Sequence, residues 1–82
     1  MPSLAARVTG YLAEELRMEP SAIAPETPLV SSGLLDSVAL VRLATFLEKE
    51  LGVRIPDRDV RPEHFETVAR IVDYVQRLRP ER

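Results

Sequence analysis

Apolar residues recur with helical spacing in three separate stretches of this chain. The first stretch follows a possible N-cap at Ser3. Its apolar members stand four residues apart: Leu4, Val8, Leu12 and Leu16. The same spacing predicts helices over 4–17, 37–51 and 68–78, and no stretch alternates as a half-buried strand would. Three amphipathic stripes that face one another predict an all-α chain folded as a small helical bundle.

The segment 18–36 separates the first two predicted helices by an unusually long interval. Its prolines at 20, 25 and 28 forbid a continuous helix, although a short helical turn is compatible with 20–23. Apolar residues of the segment include Ile23, Leu29, Leu34 and Leu35. We therefore expect a long loop that packs onto the bundle, and loops of this length tend to be functional.

The residues before the last helix are expected to form a solvated connection. The run 54–66 mixes three basic with four acidic residues. Within it, Pro62 to Phe65 predicts a single helical turn with proline at its first position. Arg61 stands where a capping Ser, Thr or Asp would be usual, so this short helix is expected to form weakly.

Length and composition exclude several classes of function. We expect 1–82 to form one domain with its core at about 4–78, which is short for a deep active-site cleft. The absence of Cys excludes disulfides, a thiolate nucleophile and a Cys/His zinc site, and we expect no metal site. His64 is the one imidazole and has no evident nucleophile beside it, so no built-in catalysis is expected.

Charge and hydropathy narrow the expected partners. The net charge of −2 argues against nucleic acid, and a DNA-binding helix pair within 40–78 would lack the positive charge it needs. No apolar run approaches 18 residues and the N-terminus has no signal-peptide pattern. We therefore expect a cytoplasmic monomer that does not act at a membrane.

The stretch Gly33-Leu34-Leu35-Asp36-Ser37-Val38 lies at the junction of the long loop and the second helix. Ser37 stands in the first turn, where unpaired N–H groups and the positive end of the helix dipole would favour a phosphate on its oxygen. Asp36 could cap the helix or help hold a metal for an enzyme acting on Ser37. A simpler interpretation makes both residues caps and nothing more. Ser31 and Ser32 are rival serines, but they lie in the loop.

The second helix predicts an outward face beside Ser37. Successive rotations of 100° place its leucines on the core side and Val38, Arg42 and Thr45 on the other, with Val41 at the edge. Val38 is thus an apolar residue on a polar face. The alternative is that Val38 is buried under the long loop, because valine is often internal.

From about residue 4 to residue 78 the chain resembles the acyl carrier protein family, with its peptidyl and aminoacyl relatives. The resemblance is carried by Glu26-Thr27-Pro28-Leu29, by the stretch 33–38, by Leu51-Gly52-Val53, by Ile55-Pro56 and by Pro62-Glu63-His64-Phe65. It implies a four-helix bundle of three long helices and one short one, with a long loop between the first two.

The resemblance also implies a function. Ser37 would carry 4′-phosphopantetheine, transferred from coenzyme A by a phosphopantetheinyl transferase, and the thiol of that arm would hold an acyl or aminoacyl thioester. The chain would be a carrier and not an enzyme. Its other partners would be a ligase or acyltransferase that loads it and the biosynthetic enzymes that follow. The loop and second helix would meet these partners through Leu35, Val38, Val41, Arg42 and Thr45.

The chain departs from fatty-acid carriers in the charge of the second helix. Acidic residues are expected there, but Ala39 and Arg42 stand in their place, and 37–51 has no net charge. The neutral second helix favours a carrier of specialised polyketide, nonribosomal peptide or aminoacyl biosynthesis. Met1 and the lack of linker composition favour a discrete protein. The alternatives are a fatty-acid-synthesis carrier and an unmodified helical interaction module.

Overall fold

The structure, a computed structural model, describes residues 3–78 and contains four α-helices and no strand within that range. The helices are α1 (Leu4–Leu16), α2 (Ser37–Leu51), α3 (Pro62–Phe65) and α4 (Val68–Leu78). Short 3₁₀ turns lie at Pro20–Ala22 and Asp57–Asp59. The predicted bundle of three long helices and one short helix, with a long loop after the first, is confirmed.

Local hydrogen bonds explain where the helices begin and end. The Ser3 hydroxyl accepts the Ala6 N–H at 3.1 Å, and the Thr67 hydroxyl accepts the Arg70 N–H at 3.1 Å. α1 ends one residue earlier than predicted, because Arg17 takes the left-handed conformation (φ 57°) that terminates the helix. The short α3 has no side-chain cap, as its sequence indicates.

The core draws on every helix and on the long loop. Its largest fully buried side chains come from five parts of the chain and include Leu12, Leu29, Leu43, Phe65 and Ile71. The loop supplies Ile23 and Leu35 as well as Leu29, so the prediction that it packs onto the bundle is confirmed. Leu34 lies only partly buried at the edge of this core.

Two ion pairs and one aromatic stack join α1 to α2. Arg7 pairs with Glu50, and Arg42 pairs with Glu15 at 2.8 Å. The Tyr11 and Phe46 rings stack with centroids 4.2 Å apart. These contacts hold the middle and the C-terminal end of α2 against α1.

Among residues 3–78 there is no helix with the length and apolar character that crossing a bilayer requires.

Candidate functional site

Ser37 is the first residue of α2, and its side chain is exposed. Within residues 3–78 its hydroxyl makes no hydrogen bond, whereas the rival serines are both engaged. Ser31 donates its hydroxyl to the Glu66 carboxylate, and Ser32 donates to the Pro28 carbonyl at 2.7 Å. Of these three serines, Ser37 alone presents an accessible and uncommitted oxygen.

The start of α2 offers unpaired backbone donors beside that oxygen. Asp36 is the N-cap, and its carboxylate accepts the Ala39 N–H at 2.8 Å. The Leu40 N–H donates to the Asp36 carbonyl at 2.9 Å, which leaves the N–H groups of Ser37 and Val38 without a partner among the described residues. A phosphoester on Ser37 would lie at these donors and at the positive end of the helix dipole.

The loop delivers Ser37 from a point anchored in the core. Leu29 and Leu35 are both buried, and the Leu35 N–H donates to the Leu29 carbonyl at 2.8 Å. The turn between them closes with the Gly33 N–H on the Val30 carbonyl at 3.0 Å, and Gly33 has φ +88°, which favours glycine. Ser37 follows only two residues after this closed loop, so its position depends on the loop.

Glu66, which lies between α3 and α4, fastens the same loop. Its carboxylate accepts the Val30 N–H at 3.2 Å, the Ser31 N–H at 3.0 Å and the Ser31 hydroxyl. Its carbonyl accepts the Leu29 N–H at 2.7 Å. The Ser31 hydroxyl, the Ser31 and Val30 N–H groups and the charge of Arg70 lower the pKa of Glu66, although partial desolvation opposes them.

The expectation of a merely solvated run at 54–66 is therefore wrong in two places. Besides Glu66, Asp59 also makes a tertiary contact, accepting the Tyr74 hydroxyl at 2.6 Å. Burial and this hydrogen bond raise the pKa of Tyr74. No spacing in the sequence indicates either contact, because each joins residues far apart in the chain.

The residues predicted to meet partners divide into exposed and committed side chains. Val38 is 61% exposed and Val41 58% exposed, so the alternative of a buried Val38 is wrong. Arg42 is exposed but pairs with Glu15, which raises the pKa of Arg42. Thr45 is exposed too, and its hydroxyl donates to the Val41 carbonyl at 3.0 Å.

Leu35 corrects one prediction. It is only 3% exposed and packs in the core, so its side chain anchors the loop instead of offering a contact to a partner. The sequence places Leu35 next to the exposed Asp36 and Ser37, but the loop turns its side chain inward.

An open groove of about 890 Å³ begins at Ser37 and runs between α2 and the segment before α3. Much of its lining is apolar: Leu40, Val41, Ala44, Ile55, Pro56 and Val60. Four charged residues also border it: Asp36, Glu48, Arg54 and Asp57. The groove gives an elongated group attached to Ser37 a place to lie along α2.

The site holds no catalytic arrangement among residues 3–78. No cluster of three His, Asp or Glu side chains suited to a metal occurs there. The ring of His64 stacks on Tyr74, with centroids 4.5 Å apart, and serves packing. Within residues 3–78, no side chain that could act as a base is hydrogen-bonded to the Ser37 hydroxyl.

Comparison with known proteins finds similarity to carrier proteins over most of the chain. A family model described as a phosphopantetheine attachment site matches residues 6–75. Meromycolate extension acyl carrier proteins of Mycobacterium leprae and Mycobacterium tuberculosis are 36% identical over 76 residues, and that of Mycolicibacterium aurum is 38% identical over 64. The alignments cover 93% of this chain for the first two and 78% for the third, but 64% of each relative, so the chain spans less than two thirds of their length.

A solved structure also aligns with the chain. It is described as "Crystal structure of FAD-dependent dehydrogenase", and the aligned chain is 31% identical with a TM-score of 0.73. The alignment covers 84% of the present chain and 99% of the other, so the other chain is no longer than this one.

Proposed function

This chain belongs to the acyl carrier protein family, and on that premise we propose that Ser37 is the residue that bears 4′-phosphopantetheine. The observation that carries the proposal is the free, exposed Ser37 hydroxyl at the start of α2, beside two unpaired N–H groups. When bound, the arm supplies a terminal thiol that holds an acyl group as a thioester. The chain itself tethers and presents that group, and it does not catalyse the reaction.

Attachment requires a separate phosphopantetheinyl transferase. The Ser37 oxygen attacks the phosphorus next to the pantetheine arm and forms a phosphodiester with it. The pyrophosphate linkage of coenzyme A breaks, and adenosine 3′,5′-bisphosphate leaves. The hydroxyl proton passes to a base of the transferase, since residues 3–78 place no base on Ser37. Asp36 remains free to contribute its second carboxylate oxygen to a magnesium ion that the transferase brings, because the cap uses only the first.

The test is the intact mass of the apo protein after incubation with coenzyme A, magnesium and a broad-range transferase. We expect one phosphopantetheine per wild-type chain and none on Ser37→Ala. Ser32→Ala is the matched control and should be modified like wild type. No addition to wild type, or equal addition to Ser37→Ala, would contradict the proposal and leave the unmodified interaction module as the better interpretation.

We propose that partners dock on the exposed apolar face beside Ser37, centred on Val38 and Val41. The ion pairs of Arg42 with Glu15 and of Glu50 with Arg7 already neutralise much of the charge on α2. Little net charge remains to steer a partner from a distance, so apolar contact is the main source of binding energy.

Transferase kinetics can separate apolar from electrostatic docking. We expect Val38→Asp to raise the KM for the carrier by about tenfold, whereas Lys49→Ala, on an exposed position of the same helix, should leave it unchanged. The kcat/KM of wild type should vary little between low and high salt. A steep fall with added salt would favour a charge-steered surface instead.

The apolar part of the groove favours an acyl cargo. The relatives are named for meromycolate extension. For this chain we propose a specialised acyl pathway, which includes polyketide or nonribosomal peptide synthesis. Fatty-acid synthesis and an aminoacyl cargo are the alternatives. The holo protein should melt at a higher temperature as the attached acyl chain lengthens, because more apolar surface enters the groove. An attached aminoacyl group should not raise the melting temperature in this way. Equal melting temperatures for all acyl lengths would contradict the assignment of an acyl cargo.

We propose an FAD-dependent dehydrogenase as a further candidate partner. The chain that aligns with this one is no longer than it, and it belongs to a crystal structure described as that of such an enzyme. In such a step an acyl thioester would lose one hydrogen from its α carbon and one from its β carbon, a double bond would form between them, and FAD would become FADH₂. Acyl-loaded holo protein mixed with that dehydrogenase should bleach the visible flavin absorbance. Holo protein without an acyl group is the control, and absence of bleaching would remove this partner.

We also propose that the chain acts as a monomer in the cytoplasm. The apolar face beside Ser37 is small, with Val38 and Val41 as its large exposed side chains among residues 3–78. Light scattering at several concentrations should give the monomer mass, and a concentration-dependent dimer would contradict this.

A further inference from the structure

Glu66 receives four hydrogen bonds from three consecutive loop residues. The carboxylate takes the N–H groups of Val30 and Ser31 and the Ser31 hydroxyl, and the carbonyl takes the Leu29 N–H. Glu66 lies between α3 and α4, 35 residues beyond Ser31 in the chain. One residue thus binds the junction of α3 and α4 to the loop that leads to Ser37.

We propose that Glu66 is a positioning residue for the modification of Ser37, a role that rests on the function proposed above. Its carboxylate holds Val30 and Ser31, and its carbonyl holds Leu29, whose own carbonyl accepts the Leu35 N–H at 2.8 Å. Leu35 precedes the Asp36 cap and Ser37 directly. The path from Glu66 to Ser37 therefore consists of hydrogen bonds, the buried Leu35 and the two residues that follow it.

The positioning of Ser37 by Glu66 is separate from any contribution of Glu66 to the stability of the whole domain. Glu66 is only partly buried, whereas the side chains that hold the core together are apolar and lie elsewhere. Without the clamp, we expect residues 29–36 to sample other conformations while the bundle stays folded. A transferase would then have to order the loop on binding, which raises KM, while the step after binding proceeds as before.

The experiment compares four proteins at a temperature where all are folded: wild type, Glu66→Ala, Glu66→Gln and Glu26→Ala. Glu26 is the matched control, an exposed glutamate of the same loop. Glutamine can keep the contacts, since its oxygen accepts both N–H groups and its amide nitrogen can donate to the Ser31 oxygen. Transferase kinetics by intact mass and backbone amide exchange are measured on each.

We expect Glu66→Ala to raise the KM for the carrier by about tenfold, with kcat within about twofold of wild type, as the loss of such hydrogen bonds implies. Amide exchange should accelerate at Val30 and Ser31, whose N–H groups lose the carboxylate, and at Leu35 through the loosened loop. It should stay unchanged in α1. Glu66→Gln should lie close to wild type, and Glu26→Ala should match it.

Two results would overturn the proposal. The first is a wild-type KM and wild-type loop exchange in Glu66→Ala. The second is acceleration of exchange by equal factors in α1 and the loop, which indicates general destabilisation. If Glu66→Ala does not fold, Ser31→Ala replaces it, and an unchanged KM with unchanged loop exchange overturns the proposal there. Failure of wild type itself to accept the arm overturns the proposed function instead.

Discussion

Asp36 closes the first turn of α2 through its carboxylate, which accepts the Ala39 N–H at 2.8 Å. Asp36→Ala should lower the free energy of unfolding by about 1 kcal/mol, as loss of an N-cap does, and Asp36→Asn should lower it by only a few tenths, because asparagine also caps. Urea unfolding measures both. Equal losses in the two variants would show that the charge matters for stability, not the cap.

The same pair of variants separates capping from metal assistance at Ser37. Asp36→Asn keeps the helix start but removes the negative charge that a magnesium ion would need. If it is modified as fast as wild type, Asp36 contributes to the reaction through its cap alone.

Glu66 should make stability depend on pH in the acid range. Hydrogen bonds from the Ser31 hydroxyl, the Ser31 N–H and the Val30 N–H, with the charge of Arg70, lower its pKa from the ordinary 4.5, against desolvation. A carboxyl with a lowered pKa in the folded state stabilises the fold above 4.5, and this stabilisation is lost as the pH falls through the lowered value.

The free energy of unfolding should therefore fall more steeply in wild type than in Glu66→Gln as the pH is taken from about 7 toward about 3. Urea titrations at several pH values measure the difference. Parallel curves for the two proteins would show that Glu66 ionises equally in the folded and unfolded chains.

Among the elements, α1 ends on a strained residue. Arg17 has φ 57° and ψ 49°, the left-handed region, where its N–H reaches the carbonyls of Ala13 and Glu14. Arg17→Gly should raise the free energy of unfolding by about 0.5 kcal/mol, the relief of backbone strain less the greater freedom of glycine in the unfolded chain. Thermal unfolding measures it.

Gly52 provides the reverse control at the end of α2. It has φ +67°, and a Cβ there would meet no atom within 4 Å, so strain comes from the backbone alone. Gly52→Ala should therefore destabilise by about 1 kcal/mol. Stabilisation by Gly52→Ala would contradict the backbone argument at both helix ends.

At the scale of the whole molecule, the short α3 depends on one buried ring. Phe65 is fully buried, with its ring centroid 5.9 Å from that of Tyr74 on α4. Phe65→Ala should cost about 3–5 kcal/mol, a large part of what a domain of this size has. Urea unfolding measures the loss, and a cost below about 1 kcal/mol would show that α3 is not packed as described.

Loss of Phe65 should also reach the site. Glu66 follows it directly, and Glu66 holds the loop before Ser37. The bundle therefore joins its smallest helix to the start of α2 through the long loop, and the position of Ser37 is a property of the fold as a whole.

The sequence alone determined the helices, their caps and the candidate serine. Periodicity and capping depend on residues within about four positions of one another, so the extent of α2 and the place of Ser37 in its first turn are local matters. The same rule placed Val38 on the outer face and Val41 at its edge, and both are exposed in the structure.

Only the tertiary structure decided which side chains are free. Arg42 pairs with Glu15, 27 residues away in the chain, and Ser31 binds Glu66, 35 residues away. Leu35 is buried in the core although Asp36 and Ser37 are exposed. Such contacts depend on how the helices stack and where the loop crosses them, and no local pattern encodes either. From the sequence Ser31 was therefore a rival attachment site to Ser37, but in the structure the Ser31 hydroxyl is hydrogen-bonded to Glu66.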